Sequence, residues 1–277
     1  MQRQFIFVRL AGLTKDHAMS EAVPTPEPAA EVPEVNETWE IIKTVAVALL
    51  IALVLRVLLF QPFTIPSASE EPNLYEGDYV LVTKFDYGWS KHSIPLSPDL
   101  FSGRIFGRAP TRGDVIVFKL PRDNNTDYIK RLIGLPGDRV QVREGLLYIN
   151  GKIVPRDVTA TVEETGGTES IIPVQRVQET LPEGRKIMTN DFGPNYPLDN
   201  TEEFTVPLGY YFFMGDNRDN SADSRLSVYD GVGMVPEENL EGRARFVLIS
   251  WNKGASLFKP WTWVLNLNFN RFGRVVH

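Results

Sequence analysis

The chain contains no cysteine, which excludes disulfide bonds, thiolate metal sites and cysteine nucleophiles in one step. Histidine is nearly as rare, and a Ser-His-Asp triad or a histidine-rich metal site would have to use His17, His92 or His277. Lysine and arginine form no cluster and the formal net charge is −6, so a phosphate-binding surface is not indicated. We therefore expect no metal ion, no cofactor and no nucleic-acid partner.

The beginning of the chain lacks any apolar periodicity. Residues 22–33 are rich in Pro, Ala and Glu, a composition that cannot bury a core, so we expect residues 1–38 to form a flexible tail. The whole chain, with 277 residues of which 43% are hydrophobic and 23% charged, has the composition of a globular protein. Its length allows one sizeable core or two modest ones.

An apolar run extends from Ile41 to Phe60 and just reaches the roughly 20 residues that a membrane-spanning helix needs. Arg56 lies near its end, where a long side chain can reach the lipid headgroups. A cleavable signal peptide is not indicated, because the run begins deep in the chain and is followed by proline. We predict a transmembrane anchor over residues 39–61, with a buried core helix as the alternative. The charges around the run do not determine its orientation.

Short runs rich in Val, Ile and Tyr, bounded by Gly, Asp, Asn or Pro, follow the apolar segment. Asn150-Gly151 between two such runs indicates a tight hairpin. We predict a mainly β fold, in which an antiparallel β-sheet domain carries a β-rich insertion and is preceded by one N-terminal transmembrane helix. The predicted strands are 79–82, 114–118, 139–142, 146–149, 152–154, 204–206, 210–214 and 244–251.

The residues from about 155 to 205 differ from the rest because Thr159 to Gly167 and Asn190 to Asn200 are polar and turn-rich. We interpret 155–208 as an inserted subdomain, and 62–154 and 209–253 as the two parts of the β domain that carries it. Residues 254–277 hold aromatic residues among basic ones, which is typical of a membrane-interface belt and equally of aromatic packing onto the domain. Those aromatic residues are Trp261, Trp263, Phe269 and Phe272.

Ser67 and Ser69 follow the apolar run within ten residues, and a serine hydroxyl needs a base before it can act as a nucleophile. With histidine scarce, the remaining candidate is a lysine that is neutral at the working pH, and burial among apolar groups favours the neutral form. Lys130 lies in a β-type run, where alternation places Lys130 and Arg131 on opposite faces. One of these two basic residues must therefore point inward.

Five segments in order make the chain from about Glu40 to Trp251 resemble the bacterial type I signal peptidases, membrane-bound Ser-Lys enzymes that remove signal peptides from exported proteins. The segments are Phe63-x-Ile65-Pro66-Ser67-x-Ser69, Gly77-Asp78 with Lys84-Phe85-x-Tyr87-Gly88, the run 112–118, the run 128–138 and the run 215–225.

The resemblance implies a serine endopeptidase in which Ser69 is the nucleophile and Lys130 the general base. The Ser67 hydroxyl and the Ser69 backbone amide would form the oxyanion hole, and Ser221 would orient the lysine amine. Asp223 and Arg225 would form a supporting ion pair, although such pairs are more often surface charges. Shallow substrate pockets for the small residues of Ala-x-Ala cleavage sites would be lined by Phe63, Ile65, Pro66, Leu74, Tyr128 and Ile129.

The resemblance also implies a location and partners. The chain would cross the inner (plasma) membrane once, with its catalytic domain on the periplasmic or extracytoplasmic side. It would act on the signal peptides of exported preproteins, in contact with membrane lipid and with the protein-export machinery.

Glu70 departs from the family pattern, which usually has Met directly after the nucleophile. A carboxylate there would favour the ammonium form of Lys130, so we predict lower activity than in a Glu70→Met variant. A signal-peptidase-like membrane protein that is weakened or silenced is therefore the alternative. A self-cleaving Ser-Lys repressor is a further alternative, but residues 1–60 offer no helix-turn-helix domain.

Overall fold

A computed structural model of the protein describes residues 37–165, 171–252 and 261–277. Its first element is helix α1 (Glu37–Leu58), which covers most of the predicted membrane anchor. It has 22 residues, none of them buried, and by length and composition it can cross a membrane. The helix ends before residue 61, the predicted end of the anchor, because Phe60 and Gln61 belong to a strand that pairs with residues 79–83. Residues 1–36 of the predicted tail lie outside the described residues.

The chain divides into two units, residues 1–45 and 46–277, and the second contains all the strands that follow. Most of these strands are short, and half of them begin directly after Gly, Asp or Pro, residues that favour turns. They are β1 Phe60–Thr64, β2 Asp78–Thr83, β3 Val115–Lys119, β4 Asp127–Gly134, β5 Arg139–Arg143, β6 Leu146–Ile149, β7 Lys152–Ile153, β8 Arg156–Thr165, β9 Ile171–Thr180, β10 Lys186–Asp191, β11 Phe204–Thr205, β12 Tyr210–Met214, β13 Val235–Pro236 and β14 Leu240–Ser250.

The strands form three antiparallel sheets. The largest has the order β1-β2-β14-β3-β4-β12-β13, and the others are β11-β5-β6-β7 and β10-β9-β8. In the second sheet the predicted hairpin is confirmed, since Ile149 pairs with Lys152 and both Asn150 and Gly151 have positive φ. The mainly β, antiparallel fold is therefore confirmed.

The insertion is more regular than its composition indicated. The interpretation of Thr159 to Gly167 as turn-rich was wrong for Thr159 to Thr165, because these residues belong to strand β8. The strand pairs with β9 from Arg156↔Glu179 to Thr165↔Ile171. Its β-branched Thr and Val residues suit the edge strand of the sheet β10-β9-β8, where pairing with β9 satisfies backbone groups even where the side chains are exposed. β11, within the predicted insertion, instead pairs with β5 of the second sheet.

The final segment contains helix α2 (Trp261–Leu265) and a 3-10 turn at Phe269–Arg271. Its last residues pack onto the large sheet, because Val275 pairs with Phe246 and Val276 is buried. Helix α2 has no buried residue. Val275 and Val276 thus pack onto the domain, as one of the two interpretations of residues 254–277 predicted. A membrane-interface role remains a prediction for α2.

Candidate active site

Ser69 lies in a 3-10 turn, Ala68–Glu70, that directly follows the edge strand β1. The segment before it is tied to β2, since the Ile65 amide donates to the Asp78 carbonyl at 2.8 Å. On the other side, the Asn217 amide donates to the Ser69 carbonyl at 3.1 Å and the Asn217 Nδ2 donates to the Ala68 carbonyl at 3.0 Å. The serine is therefore held by backbone contacts from two directions.

Lys130 reaches Ser69 from strand β4, where it pairs with Ile116 of β3. Its Nζ lies 2.5 Å from the Ser69 Oγ and donates to the Ile129 carbonyl at 2.8 Å. The Lys130 residue is 3% exposed, so its amine is shielded from bulk water. The structure thus brings together the two residues, 61 apart in sequence, that the motifs single out.

Two further serines lie close to this pair. The Ser67 Oγ is 3.3 Å from the Ser69 Oγ and belongs to an exposed residue. Ser221 is buried, and within the described part of the chain its hydroxyl has no hydrogen-bond partner. A Cβ atom on Gly215 would lie 2.2 Å from the Ser221 Oγ and 2.5 Å from the Ser69 carbonyl oxygen, so only glycine fits between them.

The Asp223–Arg225 ion pair is buried rather than exposed, unlike most pairs of this kind. Arg225 Nη2 lies 2.8 Å from Asp223 Oδ2 and also donates to the Arg218 carbonyl at 2.5 Å. The Gly215 amide donates to the same carboxylate at 3.0 Å. Burial opposes ionisation of Asp223, but the Arg225 guanidinium prevails and lowers the pKa of the Asp223 carboxyl. The pair therefore fixes the ends of the loop that carries Ser221.

The insertion supports this loop from outside. Arg218 is paired with Glu179 of β9 through two contacts of 2.8 Å, and both residues are buried. The Asn190 amide of β10 donates to the Asp216 carbonyl at 2.8 Å. Sequence reasoning did not find these contacts, because nothing in the local pattern links residues so distant along the chain.

A cleft of about 620 Å³ opens beside the two serines and Lys130. One wall comes from β1 and the turn after it, and the other from β3 and β4. Five of the six predicted pocket residues line it: Phe63, Ile65, Pro66, Tyr128 and Ile129. Leu74 is not among the lining residues, because it is fully buried in the core cluster beneath Ile65. The lining residues that were not predicted are Thr64, Ala68, Val117, Thr126, Asp127, Asn220 and Ala222.

Glu70 is fully buried, and its Oε1 lies 3.3 Å from the Lys130 Nζ. Neither carboxyl oxygen has a hydrogen-bond partner among the described residues. Burial raises the pKa of Glu70 to about 8, against the opposing effect of the Lys130 charge. At neutral pH the side chain is therefore mainly the uncharged acid, which avoids the cost of burying a carboxylate.

The chain is similar to one family of known proteins. A family model described as "Signal peptidase, peptidase S26" matches residues 38–251. The chain belongs to the signal peptidase family. It is a serine endopeptidase of the type I signal peptidase class, and the apolar helix α1 is consistent with membrane anchoring.

Curated relatives support the same assignment. "Signal peptidase I" of Rickettsia akari (strain Hartford) is 39% identical over 242 residues, covering 80% of this chain and 88% of the relative. The protein of the same name in Rickettsia felis is 40% identical over 243 residues, with the same coverage. A crystal structure of a signal peptidase I from Enterococcus faecalis V583 has 31% identity and a TM-score of 0.30, and the match covers 49% of this chain and 97% of that one.

Proposed function

We propose that this signal peptidase uses Ser69 as its nucleophile and Lys130 as its general base, and cleaves signal peptides from exported preproteins through an acyl-enzyme. The observation that carries the proposal is the distance of 2.5 Å between the Lys130 Nζ and the Ser69 Oγ. Hydrogen-bond reach between a hydroxyl and a base is the arrangement that activates a serine.

The reaction can be followed through these atoms. Ser69 Oγ attacks the scissile carbonyl carbon while its proton passes to the neutral Lys130 Nζ. The oxyanion that forms accepts hydrogen bonds from the Ser67 hydroxyl and the Ser69 amide, donors of a kind worth roughly 3 kcal/mol each. The C–N bond then breaks as Lys130 returns the proton to the leaving amine, giving the acyl-enzyme. Water hydrolyses the ester with Lys130 again as base.

Ser221 and the Asp223–Arg225 pair act on this chemistry indirectly. In the proposal Ser221 orients the Lys130 amine, since its buried hydroxyl lies near the Ser69 backbone and has no other hydrogen-bond partner among the described residues. Asp223 and Arg225 would then keep the loop of Ser221 in position, through their contacts with Gly215 and Arg218. These three are positioning residues in the proposal.

The cleft suits an extended peptide with small side chains. β1 is an edge strand, and β12 pairs with β4 only from Arg131 onward, so the segment 127–130 has a free edge among the described residues. An extended substrate can add as a strand to such edges. The walls beside the catalytic pair are mainly apolar, which favours small residues such as the alanines of an Ala-x-Ala site.

From the shape of the cleft we expect a bulky substrate residue directly before the scissile bond to slow cleavage strongly. In a model preprotein, changing the alanine at that position to tryptophan should lower kcat/KM on the order of 100-fold, because the larger side chain clashes with a formed wall. The same change two residues after the scissile bond is the control and should cost less than threefold. Mass spectrometry of the products locates the cleaved bond. Equal rates for the two substrates would contradict the pocket.

Location and partners follow from the same proposal. α1 would cross the inner (plasma) membrane once and hold the catalytic domain on the periplasmic or extracytoplasmic side, where signal peptides end. Membrane lipid and the protein-export machinery would be its partners. The orientation rests on the family resemblance, because the charges around α1 do not determine it.

The alternative function, a weakened enzyme, depends on the charge of the Glu70 side chain. Its pKa of about 8 means that the acid is neutral at lower pH and becomes a carboxylate as the pH rises through that value. A carboxylate 3.3 Å from the Lys130 Nζ stabilises the ammonium form, which cannot accept the Ser69 proton.

Replacing Glu70 should therefore raise activity mainly at alkaline pH. We expect Glu70→Gln and Glu70→Met to cleave a model preprotein at about the wild-type rate at pH 6.5, and about tenfold faster above pH 9. The measurement is the ratio of variant to wild-type kcat/KM across pH. A ratio that stays flat would mean that Glu70 does not influence the base.

A further inference from the structure

The loop between β2 and β3 exposes large apolar side chains to solvent. Within residues 90–108, hereafter the 90–108 loop, Leu96 is 100% exposed, Phe106 79%, Leu100 72% and Ile105 48%. Single exposed apolar residues are common, but a group of them in one short loop marks an interaction surface. The proposed catalytic chemistry does not use any of them.

The 90–108 loop is held firmly and is not a loose connection. Its main contacts come from the Arg104 guanidinium, which donates hydrogen bonds to backbone carbonyls of two other segments, residues 87–88 and 237–240. These carbonyls belong to Tyr87, Gly88, Glu237, Glu238 and Leu240, at 2.7–3.4 Å. The buried Lys84 Nζ adds a contact of 2.9 Å to the Ser93 carbonyl. The apolar side chains are thus presented by a preformed scaffold.

The backbone is strained at the two most exposed of these residues. Leu96 has a φ of 67° and Phe106 a φ of 52°, in the left-handed region that bulky side chains avoid. Neither side chain is buried in return. Strained conformations that the surrounding contacts enforce are concentrated at functional positions. An external contact for these two side chains would account for the arrangement.

The loop is joined to the end of α1. The Trp89 Nε1 donates to the Leu58 carbonyl at 3.0 Å, which satisfies a backbone acceptor at the end of the helix. Trp89 also pairs with Ile105 through backbone hydrogen bonds of 3.0 and 2.8 Å, and its ring meets Phe106 edge-on. If α1 spans a bilayer, Leu58 lies near the headgroups, and so does the 90–108 loop.

We propose that the 90–108 loop is a second membrane contact, in which Leu96, Leu100 and Phe106 enter the interface between lipid headgroups and acyl chains. Lipid is favoured as the partner because the apolar surface continues directly from a predicted membrane span, and the exposed Arg108 beside it suits anionic headgroups. The contact would fix the height of the cleft above the membrane. This inference rests on the proposed membrane anchoring by α1.

The absence of cysteine from the chain allows a clean test in the full-length protein. Single variants Leu96→Cys and Phe106→Cys are labelled with an environment-sensitive fluorophore and reconstituted into vesicles of anionic and neutral phospholipid. Replacing some lipid by acyl-chain nitroxide lipid should quench both labels at least twofold. Two further labels serve as references: Leu50→Cys in α1, and Val158→Cys on the exposed face of β8, which is 55% exposed.

The references separate the possible outcomes. Quenching of Leu96→Cys and Phe106→Cys comparable to that of Leu50→Cys supports the inference. Labels that behave like Val158→Cys, while Leu50→Cys is quenched, overturn it and leave the anchor intact. Fluorescence that changes with the protein-to-lipid ratio but not with nitroxide lipid would instead assign the surface to a second copy, and also overturn it. An unquenched Leu50→Cys label overturns the anchor, and the inference with it.

Discussion

Replacement of Lys130 with alanine is expected to lower kcat for preprotein cleavage by about 10³–10⁴-fold, because it removes the only amine within reach of the Ser69 hydroxyl among the described residues. Ser69→Ala should lose at least as much. Since the two residues act as one unit, the double variant should be no slower than the worse single variant. Single-turnover cleavage of a model preprotein by the purified full chain measures all three.

The controls for this prediction separate chemistry from folding. Lys152→Ala changes an exposed lysine of β7 and should alter kcat by less than twofold. Lys130→Met keeps a side chain of similar length in the buried site and should be as inactive as Lys130→Ala, with an unfolding temperature no lower than wild type. A Lys130→Ala variant that keeps more than a tenth of wild-type activity would contradict the dyad and favour a different mechanism.

Loss of Asp216 is expected to give the largest loss of stability. Arg131 is fully buried and binds the Asp216 carboxylate through two contacts of 2.6 Å. Asp216 also accepts a hydrogen bond from the Asn73 Nδ2 at 2.7 Å. Asp216→Ala leaves the guanidinium buried without its counter-ion, which costs about 3–5 kcal/mol. Thermal unfolding should therefore begin about 10 °C lower.

Two further variants make the Asp216 result specific. Asp157→Ala removes an exposed carboxylate from β8 and should leave the unfolding temperature within about 2 °C of wild type. The double variant Arg131→Met with Asp216→Leu removes both charges and should recover much of the lost stability, because no unpaired charge remains. If Asp216→Ala unfolds at the wild-type temperature, the Arg131–Asp216 ion pair does not contribute to the stability of the fold, contrary to what its burial indicates.

Eight of the fourteen strands and the proximity of Ser69 and Lys130 were predictable because their signals are local. Runs of β-branched and aromatic residues mark β2, β3 and β12, and the Asn150-Gly151 turn determines its hairpin through two positive φ values. The motifs around Ser69 and Lys130 point to residues that the fold brings to 2.5 Å. In these places the sequence pattern and the tertiary structure agree.

Features that depend on distant packing were not predictable. The alternation of β4 indicated that one of Lys130 and Arg131 points inward, but both are buried, because the sheet is covered on both faces at that point. Burial of Glu70 likewise depends on its 3-10 turn, which directs the carboxyl beneath the site and raises its pKa. No local pattern reports such surroundings.

The central claim, that Ser69 carries the acyl group, is tested most directly by acid-quenching the reaction with a peptide ester that ends in alanine and recording the intact mass of the protein. The proposed mechanism predicts an added mass equal to the acyl group, located on Ser69 by peptide mapping and absent from Lys130→Ala. An acyl group on another residue, or substrate turnover with no adduct at the earliest times of a rapid-quench series, would contradict it.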